Sequence, residues 1–219
     1  MGDATLGYHL TLSNGRGPSQ VLEDLDSNKA IGGRLFLRGY WLGQLDIGVS
    51  GYGGKVTDRR QQITDLTNQR LGWFDYARYN EISLAADLRW LFKGLHFQNE
   101  VALHDRAWDD DARPPAAQGA PGSQPDVRRF GFYSLVGYRL PWLNLMPYAI
   151  VSYYDAGLKS AFNGSQKIIA MTGGLNFRLT PTVVLKTELS TGKFLSATPG
   201  SLPASGAVSV WQSQIAWAF

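Results

Sequence analysis

Cysteine is absent from the 219 residues. That excludes disulfide frameworks, thiolate-bound zinc and thiol nucleophiles, and it fits an exported protein without requiring export. Long apolar runs are also missing. A membrane-spanning helix needs about 20 consecutive apolar residues, and no such run exists. The uncharged stretch 194–219 opens with Ser, Gly, Pro and Ala before it turns apolar, so it reads as a loop followed by a strand. Histidine is scarce, with only His9, His96 and His104, and no Gly-x-Ser-x-Gly elbow is present. The formal net charge of +3 is small and scattered. No basic stripe interleaved with aromatics marks a nucleic-acid surface. No apolar leader follows Met1; Asp3 comes at once. An exported chain needs a leader, so either it has been removed or the sequence begins part-way into a longer protein.

What the chain does have is aromatics and glycine: seven Trp, ten Tyr, ten Phe and 25 Gly. The last nine residues show how they are used. Trp211, Ile215, Trp217 and Phe219 share one parity, and Gln212 and Gln214 occupy the other. Side chains alternate faces along a strand, so this segment has one aromatic face and one polar face. A final aromatic strand left as a free edge in water invites aggregation. A closed barrel in lipid has no edge and wants this alternation.

Ten segments read as strands, at 5–14, 30–41, 45–53, 80–92, 95–106, 129–140, 145–155, 167–179, 183–192 and 207–219. Short turns alternate with long loops at 15–29, 54–79, 107–128, 156–166 and 193–206. That layout, with an even strand count, predicts an all-β, antiparallel, up-and-down transmembrane β-barrel of about ten strands in one domain, 1–219, with short periplasmic turns and long extracellular loops. Strands two, four, eight and nine alternate most cleanly. Strands six and seven are apolar on both parities. A two-layer soluble sandwich would also alternate. The two readings separate at the strand ends. Trp41, Trp90, Tyr138, Phe177 and Trp217, with Phe219, fall at one relative height, as an aromatic girdle at a lipid interface requires.

Several stretches resemble Gram-negative porins, especially the group related to the phosphate-selective porins O and P. They are Leu10-Thr-Leu-Ser-Asn-Gly-Arg-Gly-Pro18, Gly32-Gly-Arg-Leu-Phe-Leu-Arg38, Leu88-Arg-Trp-Leu-Phe-Lys-Gly94, Gly137-Tyr-Arg-Leu-Pro-Trp142, Met146-Pro-Tyr148 and Gly173-Gly-Leu-Asn-Phe-Arg-Leu-Thr-Pro181. The resemblance implies a bacterial outer-membrane channel for passive diffusion of ions and small hydrophilic solutes. It places these stretches in the C-terminal part of a larger barrel of about sixteen strands. This chain is then either a complete small barrel or such a portion. The dense Arg and Lys ladder of that family is not evident, so phosphate selectivity is not carried over.

The inward parity collects Arg34, Arg38, Asp46, Asp87, Arg89, Glu100, Arg178, Lys186 and Glu188, the expected pore lining. The alternative is a set of interior ion pairs that plug a narrow barrel, because about eight strands just fill their own interior. Such a barrel would have a structural role or bind partners through its loops. Loop 54–79, with Lys55, Arg59, Arg60, Arg70 and Arg78 against Asp58, Asp65 and Asp75, is a candidate constriction, though a solvated loop is the blander reading. Asp109-Asp110-Asp111 reads as a solvated tip sooner than a cation site. An outer-membrane hydrolase is the least supported reading. His104 and Asp105 are adjacent, so they point to opposite faces and cannot act together. His96, just after a turn, reads as an interfacial polar residue. Asn163-Gly164-Ser165 reads as a turn. No enzyme activity, cofactor or metal is expected. The expected partners are outer-membrane lipid, the barrel-assembly machinery through the C-terminal strand and, in one arrangement, further copies of the chain, with no nucleic acid.

Overall fold

The computed structural model describes residues 4–14, 28–63, 70–115, 122–157, 167–195 and 207–217, with backbone alone for 59–63 and 70–76. Ten strands follow one another in chain order: β1 (Thr5–Ser13), β2 (Ala30–Tyr40), β3 (Gln44–Ile63), β4 (Arg70–Phe92), β5 (Leu95–Trp108), β6 (Val127–Tyr138), β7 (Leu145–Asp155), β8 (Lys167–Thr180), β9 (Val183–Phe194) and β10 (Ala207–Trp217). A 3-10 turn, Asp110–Ala112, follows β5. Each strand pairs antiparallel with the next, giving one ten-stranded meander whose edges are β1 and β10. Among the described residues no helix is long and apolar enough to cross a membrane.

Cross-strand partners share a face, so the register assigns every side chain to one of two faces. One row across the middle runs Tyr8, Leu35, Val49, Ala86, Val101, Phe132, Tyr153, Ile169. Among the described residues nothing packs on this apolar face. Tyr8, Leu10 and Leu12 on β1 are 73–78% exposed, and Trp211 on β10 is 75% exposed. The whole chain exposes 15284 Å², against ~10,000 Å² for a compact water-soluble monomer of this mass. The ten strands form one sheet, so the two-layer sandwich is not what forms. Among the described residues no second layer covers the sheet, and only a few positions are buried, small apolar ones such as Ala30 and Val56 and polar-face ones such as Tyr148 and Glu188.

Short turns close one end of the sheet. Lys93 and Gly94 both have positive φ, 45° and 88°, as a two-residue type I′ hairpin demands. Trp41-Leu42-Gly43 joins β2 to β3, with Gly43 at φ 120°. A Cβ there would lie 2.3 Å from the Leu91 carbonyl oxygen, so glycine is required.

One expectation is corrected at the other end. Residues 54–79 are not a loop around a short strand pair. β3 continues to Ile63, and β4 starts at Arg70, paired through Arg59↔Asp75 and Gln62↔Gly72 with register shifts at Asp58/Arg59 and Gln62/Ile63. A membrane strand needs about 9–11 residues, the length of β1, β2, β7 and β10. β3 and β4, at 20 and 23 residues, carry roughly ten more, so this hairpin stands clear of the apolar band by about 30 Å. The side chains of Arg59, Arg60, Asp65, Arg70 and Asp75 lie outside the described residues, as do most of the other long connections and Asn163-Gly164-Ser165.

Candidate polar face

The face opposite the apolar band carries all nine residues expected to line a passage. Register puts Arg34, Arg38, Asp46, Asp87, Arg89 and Glu100 together across β2–β5, and Arg178, Lys186 and Glu188 together across β8–β9. On the first side, Arg34 grips the Asp87 carboxylate through both terminal nitrogens at 2.8 Å. It reaches across β3 to do so, over Gly48. A Cβ on Gly48 would stand 2.3 Å from Arg34 Nη2 and 2.7 Å from Asp87 Oδ2, so the missing side chain is the channel for the pair. Asp46 accepts from Arg38 Nε at 2.9 Å and from Arg89, whose Nε donates at 3.0 Å.

On the second side, Glu188 is buried and fully engaged. Its Oε1 accepts from the Tyr148 hydroxyl at 2.7 Å and faces Lys186 Nζ at 2.8 Å, and its Oε2 accepts from Gln212 Nε2 at 2.6 Å. The Tyr148 ring lies over Gly174, where a Cβ would meet it at 2.2 Å. Gln98 Nε2 donates to the Tyr133 hydroxyl at 2.6 Å. Each of these contacts joins residues of one strand or of strands at most two apart. They lie along the wall and do not cross a space in front of it.

The face settles strands six and seven, whose parity was open. Phe130, Phe132, Val136 and Tyr138 join the apolar face, with Val151 and Tyr153; Tyr133 and Tyr148 take the polar one, each through its hydroxyl. Trp90, Tyr138, Phe177 and Trp217 lie on the apolar face within a few residues of the short turns. Trp41 sits in the β2–β3 turn and is 77% exposed. Phe219 falls outside the described residues.

His104 and Asp105 do point apart. His104 Nδ1 is 2.8 Å from Ser83 Oγ on the polar face, while Asp105 holds Arg128 on the other, with Arg128 Nε donating at 2.7 Å. The Ser83–His104 bond joins register partners, as Thr172–Ser190 does at 2.8 Å. His96, just after the β4–β5 turn, lies on the polar face, and its Nε2 is buried. In Asp109–Asp111, Asp110 and Asp111 are solvated as expected, but the run is tethered. Asp109 accepts from Arg78 Nε at 2.5 Å and Lys55 Nζ at 2.9 Å, and Asp111 binds Arg78 Nη2 at 2.5 Å. These pairs clamp the 3-10 turn to the root of the β3–β4 extension. Lys55, then Arg78, hold the Asp109 carboxyl below its ordinary range by hydrogen-bonding its ionised form. No group of metal-ligating side chains occurs among the described residues.

The fold and this face define a single-layered antiparallel sheet, apolar on one side and charged on the other. No family model matches the chain, and no curated protein does either. Among solved structures, the outer-membrane expressed OmpT of Vibrio cholerae is similar, at TM-score 0.48 and 11% identity over 86% of this chain. The chain spans 58% of the length of that protein.

Proposed function

We propose that the sheet is the wall of an outer-membrane β-barrel, and that its polar face lines a porin-like passage for ions and small hydrophilic solutes. The observation that carries this is the uncovered apolar face joined to a hydrogen-bonded polar face. In water such a face costs about 25 cal/mol for each Å² left exposed; in hydrocarbon it costs nothing. Lipid is then the partner of the apolar face. Unpaired backbone groups are not tolerated in hydrocarbon, so the edges β1 and β10 are paired there, with each other or with further strands.

Open passage is favoured over a plugged interior by the direction of the ion pairs. Arg34–Asp87, Arg38–Asp46 and Lys186–Glu188 run along the wall, whereas a plug needs pairs that span the lumen. Mixed signs on the lining give modest ion selectivity. No catalytic role belongs to this reading. The test is single-channel current of the purified, detergent-folded chain in a planar bilayer. Uniform current steps are expected. Silence from a chain shown to be folded would sink the passage and leave the plugged barrel.

A further inference from the structure

The apolar face is not apolar along its whole height. In β1–β8 its described positions carry no charge from the middle row to the short turns. Toward the long-loop end, Asp105 of β5, Arg128 of β6, Asp155 of β7 and Lys167 of β8 all fall on it by register. Asp105 lies four residues beyond Val101 of the middle row, about 13 Å along the strand, or about 10 Å in height at a ~40° tilt. That is the margin of an apolar band about 25 Å tall, where headgroups begin. The four charges rim a groove of 820 Å³. Its floor includes Leu103 and Phe130, register partners that lie nearer the middle of the band. Arg128 pairs with Asp105 at 2.7 Å and Lys167 with Asp155 at 3.3 Å. All four remain within reach of a ligand: the Arg128 and Asp105 side chains are 77% and 46% exposed, those of Lys167 and Asp155 40% and 23%. Arg106 and Asp126 also border the groove, Arg106 over the Tyr79 ring at 4.4 Å and Asp126 held by Arg113 at 3.2 Å. The lining thus has three charges of each sign.

We infer that this groove holds one lipid whose headgroup carries both a phosphate and a primary ammonium, a phosphoethanolamine lipid of the leaflet on the long-loop side. The inference rests on the apolar face meeting lipid, and it does not require the sheet to conduct. The charges select the headgroup. A lining balanced in sign complements a zwitterion, and neither a purely anionic nor a purely cationic head. Phosphate oxygens accept from the Arg128 guanidinium and the Lys167 ammonium. The lipid ammonium donates to Asp105 and Asp155. The exchange leaves every charge with a partner, and the pairs it opens are exposed ones that contribute little by themselves. The acyl chains then run over Leu103 and Phe130 onto the apolar band, with which the floor of the groove is continuous. The volume equals that of roughly 27 waters, enough for such a head and the first carbons of its chains.

The experiment is native mass spectrometry of the full, detergent-folded chain, titrated with dioleoyl lipids that differ only in their phosphoethanolamine, phosphocholine or phosphoglycerol heads. One phosphoethanolamine lipid is expected to bind about tenfold more tightly than either of the others, because a quaternary ammonium has no N–H to donate and phosphoglycerol brings no positive charge. The double variant Arg128→Gln/Lys167→Gln should reduce that preference to within about twofold, since both phosphate donors are lost. Arg129→Gln removes a charge at the next residue, on the polar face, and should keep the preference. Heat-modifiable migration confirms folding of each variant. If the double variant does not fold, Asp155→Asn serves in its place and should weaken phosphoethanolamine binding about threefold or more without weakening phosphoglycerol binding. Equal retention of the three heads, tightest binding of phosphoglycerol, or the same loss in Arg129→Gln would overturn the site and leave the lipid-facing wall standing. A chain that stays folded and soluble without detergent or lipid would overturn the wall, and the site with it.

Discussion

Replacing Val49 by arginine separates lipid from water. Val49 is 51% exposed and lies mid-way along the apolar stretch of β3, opposite Leu35 and Ala86. Ile82 is 56% exposed on the same face of β4, beside Asp105 of β5. In water, both substitutions are surface changes within about ±0.5 kcal/mol. In a bilayer they differ by depth. Ile82 lies four residues from Ala86, about 13 Å along the strand, or about 10 Å in height at a ~40° tilt. That places Ile82 near the interface, where arginine costs ~0–1 kcal/mol, and Val49 near the midplane, where it costs ~2–4 kcal/mol. The gap of about 2 kcal/mol is about a thirtyfold change in the folded-to-unfolded ratio. Urea unfolding of each variant in phospholipid vesicles, followed by tryptophan fluorescence, reads it directly. Equal stabilities for Val49→Arg and Ile82→Arg would refute a lipid-facing surface.

Three further outcomes follow from particular contacts. Glu188→Ala leaves Lys186, Tyr148 and Gln212 without their shared acceptor and should cost about 2–4 kcal/mol by the same unfolding assay; Glu188→Gln, which keeps the volume and one acceptor, should cost less, and the reverse order would contradict the network. Gly43→Ala meets both the Leu91 carbonyl and a positive φ, so it should cost about 1–3 kcal/mol, and an unchanged urea midpoint would mean the turn can relax. Asp109 has a folded-state pKa below its unfolded value because of Lys55, then Arg78. Its contribution is therefore complete above the unfolded value of about 3.9 and is lost as pH falls through the lower, folded one. The stability advantage of wild type over Asp109→Asn should shrink between pH 7 and pH 3, and an advantage undiminished at pH 3 would contradict the clamp.

Strands are legible wherever one face is apolar and the other polar. Ile82, Leu84, Leu88 and Trp90 alternate with Ser83, Asp87 and Arg89, and a period of two is enough to place both the strand and its faces. β6 and β7 blurred because the polar face also accepts rings: Tyr133 and Tyr148 turn inward on the strength of a hydroxyl, and Leu135 and Ile150 go with them. The β3–β4 extension was illegible for the opposite reason. Beyond the apolar band neither face needs apolar residues, so Lys55, Thr57, Asp58 and Arg59 read as loop while their backbones stay paired. The fate of Asp109 was set by Lys55 and Arg78, partners 54 and 31 residues away that no local pattern announces. His96 reads in sequence as a turn neighbour, and only its register with Leu91 and Gly137 assigns it to the polar face. The nine polar-face residues were placed by parity alone; which of them pair, and which arginines do not, required the register.

The absence of native cysteine makes the most direct measurement simple. Single cysteines placed at each position from Ile82 to Trp90 on β4, in the protein folded into vesicles, are offered a water-soluble thiol reagent and a lipid-soluble one. The expected result is strict alternation: positions 83, 85, 87 and 89 react with the water-soluble reagent, and 82, 84, 86, 88 and 90 only with the lipid-soluble one. Water-soluble labelling at every position would contradict a wall that stands between lipid and an aqueous passage.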